Sequence, residues 1–273
     1  IAPDCYTGTL TATQAAEAIA AAVATLFVDE GIRSWAGWAV TAGAFVASIL
    51  FVLRERLTRH PLISLEAVAR PLVSSGLAFK AAAGLAIAGL GYLVTLQLQL
   101  DWGWSPGLAA IGMLPQVVVL IAGSFVVNPF VQRVGPERAA WISASAVVAG
   151  LAVYGLLGRF GYAWVALALV LVAAGMRVVG VVAPVNVLRG LPENRTAIGT
   201  ALTDTASQVT SGAGVAVAGT ILAGLFTGAI ASSQWTAQQT AQFDRAVTVA
   251  GLTLTVLAGA LVVFGIVRGR SGT

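Results

Sequence analysis

The chain of 273 residues is too apolar to fold as a water-soluble domain. Hydrophobic residues make up 58% of it, charged residues 10%, and the mean hydropathy is +0.90, so the polar surface of a globular protein is missing. The net charge of +4 would suit a nucleic acid only if basic residues clustered with aromatic ones on one surface. No such cluster is visible, and we predict no nucleic-acid partner.

Eight apolar stretches of bilayer-spanning length follow one another along the chain. Only helices and closed barrels satisfy their backbone groups in lipid, and runs of about 20 apolar residues indicate helices. The sequence therefore predicts an all-α, polytopic transmembrane bundle with the lipid bilayer as its partner. The predicted spans cover residues 10–28, 36–53, 77–98, 108–127, 139–158, 162–188, 198–228 and 246–267.

The first of these spans is the least apolar. Gln14 and Glu17 make its opening half polar, so a soluble or interfacial helix is the alternative to a membrane span. Glu17 is accordingly either a proton site inside the membrane or part of a solvated face. Because the chain begins with Ile1 and its two methionines lie far downstream, we expect it to be a fragment of a longer protein.

The longest gap between spans divides the chain into three parts. Residues 54–76 hold the only histidine, His60, together with Pro61 and Pro71, and prolines of this kind interrupt helices. The sequence predicts two leading helices in residues 1–53, a cytoplasmic linker at 54–76 and a six-helix domain at 77–273.

The basic residues alternate between the gaps and indicate the orientation. Three arginines flank one side, Arg33, Arg159 and Arg245, whereas the other side has ten: Arg54, Arg56, Arg59, Arg70, Arg133, Arg138, Arg189, Arg195, Arg268 and Arg270. Cytoplasmic loops of membrane proteins carry the excess of Lys and Arg. We therefore expect a multi-pass protein of the cell membrane with both termini of the chain in the cytoplasm.

The short gaps predict turns at the membrane surfaces. Trp102 and Trp104, followed by Ser105 and Pro106, indicate an outer turn and the start of the fourth span. We expect a tight cytoplasmic turn at 128–138, a very short outer turn at 158–161, and a longer polar outer loop at 229–245.

Two ionisable residues lie deep inside predicted spans. A charge in the middle of a bilayer costs about 3 kcal/mol or more, and it usually faces a cavity or a partner. Arg177 is near the middle of the sixth span, and Asp204 is in the cytoplasmic half of the seventh. We hypothesise that they form a pair or share a water-filled cavity. The alternative for Asp204 is that it caps its helix or reaches the inner interface.

Other polar groups within the spans have simpler explanations. Lys80 is three or four residues inside the third span and can extend its ammonium to the headgroups. Gln97, Gln99 and Asn186 are candidates to line a solute pathway. Hydrogen bonding between helices is the more frequent role of such residues. Abundant glycines, among them Gly84, Gly89 and Gly214, predict close helix packing.

Signatures of enzymes and of ATP-driven pumps are absent from the sequence. One histidine and one cysteine, Cys5, cannot build a His-pair metal site or an intrachain disulfide, and no Cys–His nucleophile fits the membrane topology. No phosphate-binding GxxxxGK[ST] loop occurs. We therefore predict no enzymatic activity and no cofactor, which leaves the passive or ion-coupled movement of a solute.

Four segments resemble the fourteen-helix drug:proton antiporter branch of the major facilitator superfamily. One carries Gln132 at the position where that family's loop motif usually has an acidic residue. The segments are FVLRERLTRHPLISL (51–65), LVTLQLQLDWGWSPGLAAIGMLP (93–115), NPFVQRVGPER (128–138) and LPENRTAIGTALTDTASQVTSGAGVAVAGTIL (191–222).

The resemblance implies that the eight spans are the last eight of fourteen. It implies a transporter that works by alternating access, exchanges protons for small hydrophobic or amphipathic solutes, and has an N-terminal domain that this chain lacks. The second class of function is a truncated, non-transporting membrane module that associates with a partner.

Overall fold

The computed structural model describes residues 69–191, 196–226 and 235–271, which contain helices and no strand. The two leading spans lie outside the described residues, as do Glu17 and His60. The helices are α1 (Pro71–Leu96), α2 (Pro106–Gly112), α3 (Leu114–Val134), α4 (Pro136–Leu157), α5 (Tyr162–Arg189), α6 (Thr196–Leu225) and α7 (Ala237–Arg270).

Six helical segments of the described chain are long and apolar enough to cross a membrane. This finding confirms the all-α transmembrane bundle and the last six predicted spans. The segments are Pro71–Asp101, Pro106–Val134, Pro136–Phe160, Tyr162–Arg189, Gly199–Leu225 and Ala237–Arg270.

Several helices extend beyond the apolar stretch that predicted them. Helix α1 starts at Pro71, so residues 71–76 of the predicted linker are helical; proline is well suited to the first helical position. Helix α7 starts at Ala237, inside the predicted outer loop, because Thr236 and Gln239 form a capping box there. Hydropathy marks only the part of a helix that lies in lipid, so it misses such polar ends.

The predicted cytoplasmic turn at 128–138 is shorter than expected. Helix α3 continues through Pro129 to Val134, and the chain turns only at Gly135, whose φ is +86°. Proline inside a helix removes one backbone hydrogen bond, yet membrane helices tolerate it because neighbouring groups satisfy the freed carbonyl. The positive φ favours glycine, which has no Cβ to clash.

Two of the predicted turns are present, and their side of the membrane stays a prediction. Ser105 caps α2 by accepting a hydrogen bond from the Leu108 amide at 3.4 Å, and Pro106 follows as the first helical residue. The other turn is a single 3-10 turn over Gly158–Phe160, which ends at Gly161 with φ +138°.

Helix α1 lies at the centre of the bundle and packs against α5, α6 and α7. Its large side chains Phe79, Leu90 and Leu93 are buried. The α2–α3 span lies at the periphery, where it packs mainly on α5. Its outward face exposes apolar side chains such as Ile121 and Phe125.

Glycines allow the closest helix contacts in the bundle, as the sequence predicts. A Cβ on Gly84 would lie 2.5 Å from the Ser207 carbonyl oxygen, and one on Gly214 would overlap the Leu85 carbonyl oxygen. The Ser211 hydroxyl adds a hydrogen bond of 3.1 Å to the Gly84 carbonyl. Small residues let backbones approach where lipid provides no hydrophobic driving force.

Arginines from separate parts of the chain gather at one end of the bundle. The Arg70 guanidinium donates to the Gly190 carbonyl oxygen at 2.9 Å, which joins the start of α1 to the end of α5. At the same end, the Arg270 guanidinium lies 4.7 Å from the ring centre of Trp141. We call this the arginine-rich end.

Candidate functional site

Arg177 lies near the middle of α5 and faces α3. Its Nη2 donates a hydrogen bond of 2.8 Å to the Ser124 hydroxyl. Gly123 makes room for the side chain, since a Cβ there would lie 3.0 Å from Arg177 Cγ. Arg177 therefore occupies a groove between α3 and α5.

Asp204 is neither bonded to Arg177 nor part of the lining of its groove. It is exposed on α6 and forms no ion pair with any described residue. The pair hypothesised from the sequence is therefore not formed. The two residues are on consecutive helices, but α5 presents the Arg177 side to α3, while α6 packs chiefly on α1.

A polar stripe runs along the arginine-rich half of α6. Thr200, Asp204 and Gln208 recur every four residues, so they share one helix face. Thr200 and Asp204 are exposed, and Gln208 is half-buried. Of these three residues only Asp204 is a candidate from the sequence, although their four-residue spacing is visible there too. A polar face on a membrane-length helix is expensive in lipid and indicates water or a partner beside it.

Lys80 lies at about the same depth as Asp204 on the neighbouring helix. Helices α1 and α6 both start at the arginine-rich end, and the hydrogen bond from Ser211 to the Gly84 carbonyl fixes their register. Lys80 is one turn before Gly84, about 13 Å from the start of α1 at 1.5 Å per residue. Lys80 is therefore nine residues beyond the first residue of α1, because the helix begins before residue 77.

Gln97 and Gln99 lie in a π-helical turn, Gln97–Asp101, that extends the C-terminal end of α1, away from the arginine-rich end. Gln97 is buried, and its Nε2 donates to the Gly158 carbonyl oxygen at 3.3 Å. Its Oε1 has no hydrogen-bond partner among the described residues. Gln99 is half-buried. Single π-helical turns are frequent at functional sites, but Gln97 here joins two helix ends.

Asn186 lines a cavity of about 230 Å³ at the arginine-rich end. Glu137, Trp141 and Arg189 contribute to the same cavity, which lies between α1, α4, α5 and α7. The candidates from the sequence are thus distributed over four separate places. Within the described part of the chain, no three His, Cys, Asp or Glu residues gather into a metal site.

The hydroxyl groups of two tyrosines within the bundle differ in their hydrogen bonding. Tyr154 is buried and its hydroxyl has no partner among the described residues, whereas the Tyr162 hydroxyl donates to the Gly112 carbonyl at 3.0 Å. We expect Tyr162→Phe to lower the unfolding free energy by about 1 kcal/mol and Tyr154→Phe to leave it unchanged or raise it. Unfolding in mixed micelles measures both. A loss in Tyr154→Phe would reveal a water-mediated bond.

Comparison with known proteins finds curated relatives for most of the chain. No protein-family model matches it. It is 30% identical over 219 residues, 77% of its length, to the putative multidrug resistance protein MdtD of Salmonella paratyphi B and to that of Salmonella heidelberg. The MdtD protein of Salmonella typhi is 29% identical over the same length. The chain is related to these proteins.

The chain spans 45% of the length of each of these curated relatives.

Proposed function

We propose that the chain is the C-terminal part of a proton-coupled secondary transporter of the major facilitator superfamily, in the fourteen-helix branch. It exports small hydrophobic or amphipathic solutes, including drugs, across the cell membrane. The observation that carries this proposal is the polar face that exposed Asp204 and half-buried Gln208 give to the membrane-length helix α6. Such a face is stable in a bilayer only beside water or a polar partner.

The N-terminal transporter domain is the partner that this proposal requires. The relatives are about twice as long as the matched segment, and the exposed apolar face of α3 together with the polar face of α6 provides surface for a second helical domain. Secondary transporters of this kind bind solute between two helical halves and rock around it. We place the arginine-rich end, and both termini of the chain, in the cytoplasm.

Asp204 is the proton-coupling candidate within this chain. It is the carboxyl group of the stripe, and Lys80 lies at its depth on α1. A carboxyl group that faces a water-filled pathway can take up a proton from one side of the membrane and release it on the other. Asp204→Asn keeps the size of the side chain and removes this exchange.

The test uses the complete transporter in cells loaded with a hydrophobic fluorescent dye. We expect Asp204→Asn to reduce efflux and to flatten its dependence on external pH. Asp244→Asn, which neutralises a half-buried carboxyl group on α7, is the control. It should retain both the rate of efflux and its dependence on external pH. Expression of each variant is measured by immunoblotting of the membrane fraction.

Two results would contradict the proposal. Unchanged efflux and an unchanged pH profile in Asp204→Asn would assign that residue a structural role and remove the coupling site from this chain. Absence of dye efflux in the unmodified transporter, at normal expression, would favour a membrane module that does not transport.

A further inference from the structure

The groove between α3 and α5 is an apolar cavity with one charged group. It has a volume of about 280 Å³, close to the lower limit of about 300 Å³ for small-molecule sites. Ala122, Val126 and Phe130 of α3 and Ala174 and Val178 of α5 line it, together with Arg177. Arg177 is the only ionisable residue among the described residues that line it.

The Arg177 guanidinium has unused hydrogen-bonding capacity. It carries five N–H donors, of which one goes to the Ser124 hydroxyl. Nε is buried and has no acceptor among the described residues. No carboxylate side chain lines the cavity, so the charge is left uncompensated by the described part of the chain. An arginine side chain keeps its charge in proteins, and an anion is its natural complement.

The depth of the cavity restricts what that anion can be. Arg177 is twelve residues from the end of α5 and fifteen from its start, or about 18 and 22 Å along the axis. The hydrocarbon core extends about 15 Å from its middle, and the phospholipid phosphates lie beyond that distance. A headgroup in this position does not reach the guanidinium, so an anion that pairs with Arg177 has to enter between the helices.

We propose that this groove binds anionic amphiphiles, with the carboxylate on Arg177 and the apolar body between α3 and α5. The inference rests on the proposed function and names its substrate class. A guanidinium binds a carboxylate through two parallel N–H donors, and the remaining wall offers only apolar contact. A cationic amphiphile would meet like charge in an apolar cavity, which is strongly unfavourable.

Binding is tested on the purified chain in nanodiscs of zwitterionic lipid. The probes are dansyl-undecanoic acid, its uncharged amide and dansyl-undecylamine, with empty nanodiscs as the partition blank. We expect the acid to bind about tenfold or more tightly than the amide, because a hydrogen-bonded charge pair contributes about 1.5–3 kcal/mol. The amine should not bind above the blank.

Variants assign the preference to this site. Arg177→Met should abolish the preference for the acid, and Arg177→Lys should retain part of it, since lysine keeps the charge but not the fork of donors. Ala174→Phe, which fills the cavity, should weaken acid and amide together. Arg133→Met removes an exposed arginine at the end of α3 and should change nothing. The temperature of thermal aggregation checks that each variant is folded.

Three outcomes would overturn the inference. Equal binding of acid and amide, or an undiminished preference in Arg177→Met, would remove Arg177 as the anion site. The third outcome is that the chain alone binds the acid but the complete transporter does not. Arg177 would then pair with a carboxylate of the N-terminal domain and not with a ligand.

Efflux assays separate this inference from the proposed function. Efflux of neutral dyes without binding of the acid would leave the transporter standing and refute the substrate class. Binding of the acid by the chain and by the complete protein, without efflux of any dye, would keep the site and refute transport.

Discussion

Replacing Gly175 by alanine is expected to lower the unfolding free energy of the bundle by about 1–3 kcal/mol, which is typical of overpacking. A Cβ at this position would overlap the Ser143 carbonyl oxygen and lie 2.6 Å from Val147 Cγ2. One of these atoms belongs to the backbone of α4, so relief requires the two helices to move apart. Unfolding in mixed micelles measures the loss.

Gly180 provides the matched control on the same helix. Nothing lies within 4 Å of a Cβ built there, so Gly180→Ala meets no neighbour and gains up to about 1 kcal/mol from the better helix propensity of alanine. Equal destabilisation by the two substitutions would contradict the close α4–α5 contact and would indicate a general cost of removing glycine from α5.

The second large effect is expected at the aromatic cluster of Phe226, Trp235 and Phe243. Phe243 is fully buried, and its ring centre lies 5.0 Å from that of Trp235 and 6.1 Å from that of Phe226. Phe243→Ala should lower the unfolding free energy by about 3 kcal/mol or more, because a cavity replaces the ring contacts. The cluster joins the end of α6 to the start of α7, so this end should also become more accessible to protease.

Phe125→Ala is the control for the same change of side chain at an exposed position. Phe125 is 81% exposed on α3, so truncation leaves no cavity, and we expect a change within about 0.5 kcal/mol. A loss as large as that of Phe243→Ala would mean that Phe125 packs against another copy of the chain in the micelle. Measurements at several protein concentrations would identify that case.

Much of the fold could be predicted because lipid imposes simple rules on a sequence. Length and hydropathy located the last six spans, and Ser105 with Pro106 marked the start of α2. The spacing of arginines indicated which helix ends lie together, and the structure confirms this at Arg70 and Gly190. Each of these features depends on where a residue lies along the membrane normal. The order of apolar and charged residues in the sequence carries that information directly.

The rotation of each helix could not be predicted in the same way. Helix α5 has apolar residues on all its faces, so its sequence does not set its rotation. The sequence therefore does not show that Arg177 points towards α3 instead of towards Asp204 on α6. The start of α1 at Pro71 was missed as well, because the residues before the apolar stretch do not register as membrane helix. Tertiary packing decides the rotation, and the sequence of one helix does not contain that information.

The central place of α1 has a consequence for the order of assembly during translation. It is the first helix of the described bundle to be synthesised, yet a Cβ on Gly89 would lie 2.6 Å from Leu254, and Gly265 lies against Phe79. Leu254 and Gly265 both belong to α7, the last helix of the described bundle. The packing of α1 is therefore completed only after α7 has been inserted.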